Sequence, residues 1–106
     1  MNSWDNERYK EIWIDGEKEW SLMALINGDW GWLMYLNQDT QECFTSRNPD
    51  YTGLEDETME FYLSNGQLDH YPMSYIIHIE QIEKALNYFE KYHKLPNFIM
   101  WHDDNQ

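Results

Sequence analysis

The chain has 106 residues, the size of a single domain spanning residues 1–106 that can bury a core without metal ions or disulfides. Its formal net charge of −13 argues against direct binding of nucleic acid, because phosphates require a basic surface and only seven Lys and Arg are present. The six Trp and eight Tyr exceed what so small a core usually needs, and large aromatic side chains are also favoured at binding interfaces.

The negative charge has two explanations, and composition alone favours neither. An acidic surface keeps a small domain soluble. Alternatively, the chain has a basic partner, for example a protein that itself binds nucleic acid. An acidic inhibitor would cover the phosphate-binding surface of such a partner and would be attracted to it over a distance.

Three features concern the cellular compartment. The single Cys43 excludes an intramolecular disulfide and fits a reducing environment. Residues 1–7 contain neither the basic start nor the apolar run of a secretion signal. No apolar stretch approaches the ~20 residues that a membrane helix needs. We therefore expect a soluble, cytoplasmic protein without membrane contact.

Short strands account for the first part of the chain. Tyr9–Ile14 alternates weakly and is followed by the turn dipeptide Asp15-Gly16. Trp20–Ile26 is apolar on both faces, which predicts a central strand that is covered on both sides. Asn27-Gly28 then predicts a tight turn before the return strand Trp30–Leu36.

The clearest loop runs from Arg47 to Thr58, after a weaker strand at Gln41–Ser46. Pro49-Asp50 and Thr52-Gly53 interrupt regular structure, and negative charge is concentrated around Tyr51. A charged run of this kind is usually only a solvated connection. Its acidic residues are Asp50, Glu55, Asp56 and Glu57, with Glu60 just beyond the loop.

A third hairpin follows the loop. Phe61-Tyr62-Leu63 alternates as a strand does, and Asn65-Gly66 supplies the two residues of positive φ that a type I′ turn requires. The returning strand should end or become an edge at Pro72, which cannot donate a ladder hydrogen bond. Ile76 and Ile77 then bring the chain back to the core.

One amphipathic helix begins near Ile79 and ends before Pro96. Acidic residues near its start and basic residues near its end suit the helix dipole. No Ser, Thr, Asp or Asn directly precedes Ile79, so the start lacks a standard cap. Leu86 and Phe89 should be buried against the sheet. The apolar stripe contains Ile79, Ile82, Ala85, Leu86, Phe89, Tyr92 and His93.

After Pro96, Phe98–Trp101 predicts a short buried strand that joins the sheet of the preceding hairpin. The three hairpin turns and the single helix define the fold class. We predict an α+β domain with an antiparallel meander sheet of about six or seven short strands and one amphipathic helix near the C-terminus packed on it.

The last two fifths of the chain resembles the bacterial polymorphic-toxin immunity proteins, specifically the Imm family numbered one. That family ends with an aromatic-bearing strand, a Gly turn, a strand closed by Pro, an apolar pair, an amphipathic helix, a Pro and a strand ending in Trp. Gly31–Leu36 is also similar to the family's mid-chain strand. The matching positions are Phe61, Gly66, Pro72, Ile77, Ala85, Phe89, Pro96 and Trp101.

The resemblance implies an immunity protein that binds and neutralises a cognate bacterial toxin by stoichiometric occlusion. The toxin would be basic and would act on nucleic acid, and acidic side chains with exposed aromatics would cover its substrate-binding surface. An alternative is an acidic adaptor or regulatory protein for a basic cellular partner unrelated to toxins. The candidate toxin-binding residues are Asp29, Trp30, Asp50, Tyr51, Glu55, Asp56 and Glu57.

Motifs of catalysis and metal binding are missing from the sequence. The four His lie apart without HxxxH spacing, and one Cys cannot form a thiolate cage. His102-Asp103-Asp104 could attract a metal ion, but acidic terminal segments are usually disordered. No Gly-rich phosphate loop or nucleophile elbow is present. We therefore predict no catalytic residues, metal or cofactor, and rank a small hydrolase below both binding functions.

Overall fold

The computed structural model describes residues 8–105, which form an α+β domain. Its antiparallel main sheet, small second sheet and single α-helix confirm the predicted fold class. A 3-10 turn at Met73–Tyr75 connects the strands Leu68–Pro72 and Ile77–His78. The elements are β1 (Tyr9–Asp15), β2 (Trp20–Asn27), β3 (Trp30–Asn37), β4 (Cys43–Arg47), β5 (Thr58–Tyr62), β6 (Leu68–Pro72), β7 (Ile77–His78), α1 (Ile79–Tyr92) and β8 (Met100–Asp103).

The main sheet has the order β1-β2-β3-β4-β8, and the short β7 pairs with the start of β3. The first four strands are therefore the predicted meander. β2 is buried along nearly its whole length, which confirms that it is central and covered on both faces. The two faces carry separate cores, because alternate residues of β2 and β3 point in opposite directions.

The helix covers one face and the β5–β6 hairpin covers part of the other. Phe89 of α1 and Phe61 of β5 are the largest fully buried side chains of the two cores, each with no exposed surface. The helix-side core contains Leu22, Ala24, Ile26, Leu33, Ile77, Ile82, Ala85, Phe89 and Ile99. The hairpin-side core contains Met23, Leu25, Trp32, Phe61 and Ile76.

The predicted helix stripe is too wide at its C-terminal end. Ile82, Ala85 and Phe89 are buried, but Leu86 is only partly buried, so its predicted burial is wrong in degree. His93 is exposed because it adopts a left-handed conformation that ends the helix. The helix period therefore does not extend to it. The sixth and seventh members of the stripe, Tyr92 and His93, do not belong to the core.

The start of the helix has a cap that the sequence rule does not include. The Nδ1 atom of His78 accepts a hydrogen bond from the backbone N–H of Glu80 at 3.2 Å. This satisfies one of the free donors of the first turn, as an Asn or Ser side chain would.

The turn after β5 is not the predicted type I′. Only Gly66 has a positive φ, of 90°, and its N–H donates to the carbonyl of Leu63. This pattern matches the three-residue loop in which a turn is followed by a left-handed Gly. Asn65 instead accepts a hydrogen bond from the N–H of Gln67 through its side chain, which explains why its backbone need not be left-handed.

The turn after β1 is displaced from the predicted Asp15-Gly16. The left-handed residues are Lys18 and Glu19. Gly16 has a different role, since a Cβ atom built on it would lie 2.6 Å from Cζ of Phe89. Gly16 therefore allows the helix to approach the sheet. The fourth strand also begins later than predicted, at Cys43, because Gln41 is left-handed.

The last strand differs most from prediction. It occupies Met100–Asp103 rather than Phe98–Trp101, and it pairs with β4 rather than with the hairpin, which forms its own two-stranded sheet. The Nε1–H of Trp101 donates to the carbonyl of Pro96 at 2.8 Å, so the chain is still turning when it passes Phe98. Of the predicted run, Ile99 is buried, Phe98 and Met100 are exposed, and Trp101 is partly buried.

Candidate functional site

Three chain segments converge at one end of the main sheet. Because β3 and β4 are antiparallel, the start of β3 at Trp30 lies beside the end of β4 and the loop that follows it. β8 is antiparallel to β4, so Met100 lies at the same end, opposite Arg47. β7 pairs with Trp30 and leads directly into α1. Residues distant in sequence therefore surround Trp30.

These segments enclose a cavity of about 500 Å³, which we call the Trp30 groove. Its volume falls in the range of ~300–1,000 Å³ that is usual for ligand sites in proteins. Trp30 keeps 43% of its surface exposed and packs edge-to-face on His78, with ring centroids 5.4 Å apart. Its lining includes Trp30, Arg47, Asp50, His78, Gln81, Phe98 and Met100.

A second hollow of about 450 Å³ lies beside Trp30 and includes Asp29. The carbonyl of Asp29 accepts a hydrogen bond from the N–H of Ile79 at 2.8 Å, so this turn also fixes the start of the helix. Arg8 lines the same hollow, and its Nε donates to Oδ1 of Asn27 at 2.9 Å. Asp29 is exposed and shares this hollow with the cationic side chain of Arg8.

The charge of Arg47 in the Trp30 groove is already compensated. Its Nη1 donates to Oγ1 of Thr45 at 2.7 Å, and its Nη2 lies 3.7 Å from Oδ1 of Asp104. The guanidinium also lies over the ring of Tyr75, with 4.0 Å between the guanidinium carbon and the ring centroid. Arg47 therefore stabilises the frame of the groove, whereas Asp50 is an exposed carboxylate in its lining.

The acidic loop between β4 and β5 is an ordered structure rather than a loose connection. Its backbone is joined to the rest of the domain by Asn48 N–H to the carbonyl of Ser74, 2.7 Å, and by Met73 N–H to the carbonyl of Glu57, 2.9 Å. Such a loop, whose ends lie close together and whose own groups are hydrogen-bonded, is a frequent carrier of binding residues.

Tyr51 stabilises this loop through its hydroxyl. The hydroxyl lies 2.6 Å from Oε1 of Glu57 and 2.7 Å from the carbonyl of Leu54, two acceptors. The hydrogen bond to Glu57 is the main cause that raises the pKa of Tyr51 to about 12, and the charge of Asp56 adds to it. The Tyr51 hydroxyl is therefore hydrogen-bonded within the loop. Because Tyr51 is only partly buried, part of its side chain remains accessible.

The predicted site residues fall into three sets, namely residues that line a cavity, a hydrogen-bonded pair in the acidic loop, and exposed residues of that loop. Trp30 and Asp50 line the Trp30 groove, and Trp30 with Asp29 lines the neighbouring hollow. Tyr51 and Glu57 contact each other. Glu55 and Asp56 are exposed on the loop, and neither is among the lining residues of the groove or the hollow.

Sequence reasoning missed several groove residues. Phe98 and Met100 were assigned to a buried strand, yet they are 37% and 55% exposed. One sequence feature could have indicated this exposure. Phe98 directly follows Pro96-Asn97, where the chain turns before it pairs with another strand. Nothing in the sequence indicates that His78 and Gln81 from the helix start would meet them.

The acidic C-terminal segment is ordered, against the expectation of a disordered tail. His102 and Asp103 belong to β8, and the Asp104 carboxylate accepts a hydrogen bond from Oγ1 of Thr45 at 2.6 Å. His102 Nδ1 lies 2.7 Å from Oδ1 of Asp104. Within residues 8–105 no group of three or more His, Cys, Asp or Glu side chains is arranged to hold a metal ion.

None of the described helices is long and apolar enough to cross a membrane.

No protein-family model matches the chain, and no curated protein matches it significantly.

Proposed function

We propose that this chain is an immunity protein that binds a cognate bacterial toxin domain and neutralises it by covering its substrate-binding surface. The observation that carries the proposal is the exposed Trp30 beside two carboxylates, Asp29 and Asp50, at one end of an acidic domain. Trp residues near the centre of a protein interface often contribute a large part of the binding free energy.

The resemblance to immunity proteins concerns residues that serve the fold. Five of its eight positions are buried, namely Phe61, Ile77, Ala85, Phe89 and Pro96. This pattern supports a shared scaffold and leaves partner recognition to surface residues. The exposed residues around Trp30 and along the acidic loop are therefore the part of the chain proposed to select the toxin.

The proposed mechanism is electrostatic attraction followed by occlusion. A toxin that acts on nucleic acid carries a basic surface for phosphates, and a chain of net charge −13 is attracted to that surface. Once bound, the inhibitor excludes the nucleic acid by occupying the same surface. No reaction is required of the inhibitor in this mechanism.

The acidic loop should accelerate association. We expect a fourfold charge-reversal variant to bind the cognate toxin domain at least about tenfold more slowly at low salt, with the difference shrinking as salt increases. Its fold should survive, since all four side chains are exposed on a loop. The Tyr51 hydroxyl loses Glu57 as an acceptor but keeps the carbonyl of Leu54. The measurement is stopped-flow association at two ionic strengths, with co-expression in bacteria as the test of protection. The substitutions are Asp50→Lys, Glu55→Lys, Asp56→Lys and Glu57→Lys.

A matched control alters the charge equally at the opposite end of the sheet, where the turns after β1 and β3 lie. Its four side chains are also exposed, and it should associate nearly as fast as the parent protein. Equal slowing of both variants would mean that only net charge matters. Parental rates and full protection by the loop variant would remove the loop from the interface. The control substitutions are Glu17→Lys, Glu19→Lys, Asp39→Lys and Glu42→Lys.

A further inference from the structure

The Trp30 groove combines aromatic faces with an exposed carboxylate. Trp30 and Phe98 both line it, and Asp50 lines it from the acidic loop. Aromatic faces attract cations through the ring quadrupole, and a carboxylate attracts them directly. The groove thus has the two chemical features that recognise a positively charged side chain.

The cations already present in this region do not occupy Trp30. Lys84 has its Nζ atom 5.2 Å from the centroid of Phe98, and Arg47 lies over Tyr75. Arg8 lines the neighbouring hollow with Trp30, and its guanidinium carbon lies 5.8 Å from the centroid of Tyr9. All three cations are therefore engaged with other aromatic rings. Trp30 contacts His78 edge-to-face and still exposes 43% of its surface.

The described lining of the groove carries one permanent positive and one negative charge, and the positive charge is compensated from outside the groove. Of the described residues that line it, Arg47 alone carries a permanent positive charge, and Asp104 compensates that charge from outside the groove. The Nδ1 atom of His78 already contacts the N–H of Glu80 at 3.2 Å. Asp50 then remains as the charge available to a partner, within a chain of net charge −13.

We propose that the Trp30 groove receives an arginine side chain of the partner protein, with the guanidinium stacked on the Trp30 indole and its N–H groups directed at Asp50. Arginine fits better than lysine because its planar group stacks on aromatic rings and offers several donors to a carboxylate. The proposal rests on the proposed function only in taking the partner to be a toxin. The chemistry of the groove can be tested without the toxin.

The test is a titration of the intact protein with N-acetyl-arginine amide, followed by NMR of the tryptophan indole N–H signals. The Trp30 signal is identified by its loss in Trp30→Phe. We expect this signal to shift and saturate at millimolar peptide, and N-acetyl-citrulline amide, which is uncharged and nearly isosteric, to bind at least about tenfold more weakly. Asp50→Asn should weaken arginine binding at least about threefold, and Asp39→Asn in a distant exposed turn should not.

Trp13 provides the matched reference within the same spectra. It is 44% exposed, as Trp30 is 43% exposed, and it also lies beside a carboxylate, with its Nε1–H donating to Glu11 at 2.7 Å. A shift of the Trp30 signal without a shift of the Trp13 signal supports the proposal. Equal shifts of both signals, equal binding of citrulline, or no shift at Trp30 would overturn it.

The two proposals fail separately. If arginine amide saturates the groove but the toxin domain is not bound, the groove keeps its ligand class and the proposed immunity function is wrong. If the toxin is bound while the groove ignores arginine, the immunity function stands and the toxin's contact with Trp30 is of another kind.

Discussion

Phe89→Ala is expected to destabilise the folded protein by about 3–5 kcal/mol, since it removes a fully buried aromatic side chain and leaves a cavity. Phe89 packs edge-to-face on Tyr35, with centroids 6.0 Å apart, and fills the space beside Gly16. It therefore links the helix to both the sheet and the first turn. A loss of this size is a large part of the ~5–15 kcal/mol that stabilises an ordinary domain.

The measurement is chemical denaturation of the variant beside Tyr92→Ala. Tyr92 lies three residues later on the same helix but is 50% exposed and contacts chiefly Tyr88. We expect Tyr92→Ala to cost about 1 kcal/mol or less. Leu86→Ala should fall between the two, because Leu86 is partly buried. Similar losses for Phe89→Ala and Tyr92→Ala would mean that the helix packs through another face.

Phe61→Ala is expected to cost a similar ~3–5 kcal/mol and to loosen the β5–β6 hairpin selectively. Phe61 has no exposed surface and anchors the hairpin in the second core. Met59, Leu63 and Tyr71 pack around the same core without being fully buried. Polar contacts add to them, such as Asn27 Nδ2 donating to the carbonyl of Glu60 at 2.9 Å and Ser64 N–H donating to Glu11 at 2.8 Å. A two-stranded hairpin is marginally stable without such packing.

Hydrogen exchange of the Phe61→Ala variant resolves this prediction by region. Backbone N–H groups of β5 and β6 should lose protection first, whereas those of β2 and β3 should remain the most protected. β2 and β3 should stay protected because the helix-side core contains no hairpin residue and is not changed by this substitution. Uniform loss of protection in all strands would contradict the division into two cores and would indicate one cooperative unit.

Local patterns predicted most of the fold. The two-sided apolar run of β2 indicated a strand covered on both faces, and the helical period indicated one packed helix. The turn conformations were harder to predict from sequence. A side-chain hydrogen bond at Asn65 and the packing of Phe89 against Gly16 determine the backbone conformation there. The pairing of β8 with β4 joins residues more than fifty positions apart, and no local pattern indicates it.

The candidate site was predicted in part for the same reason. Trp30 and Asp50 are conspicuous in the sequence as an aromatic at a turn and an acid in a loop, and the fold brings them to one groove. Phe98 was missed because an apolar run resembles a buried strand whether or not its side chains are covered. The negative charge around Tyr51 predicts that it contacts the toxin. In the structure its hydroxyl contacts Glu57 and Leu54 within the loop.

Titration of the cognate toxin domain with this purified protein tests the proposed immunity function most directly. We predict a complex with one copy of each chain and loss of toxin activity on nucleic acid that is complete at one equivalent. Trp30→Ala should weaken the complex by about 2 kcal/mol or more, chiefly through faster dissociation, whereas Trp13→Ala should not. Unchanged toxin activity in a large excess of the parent protein would contradict the account.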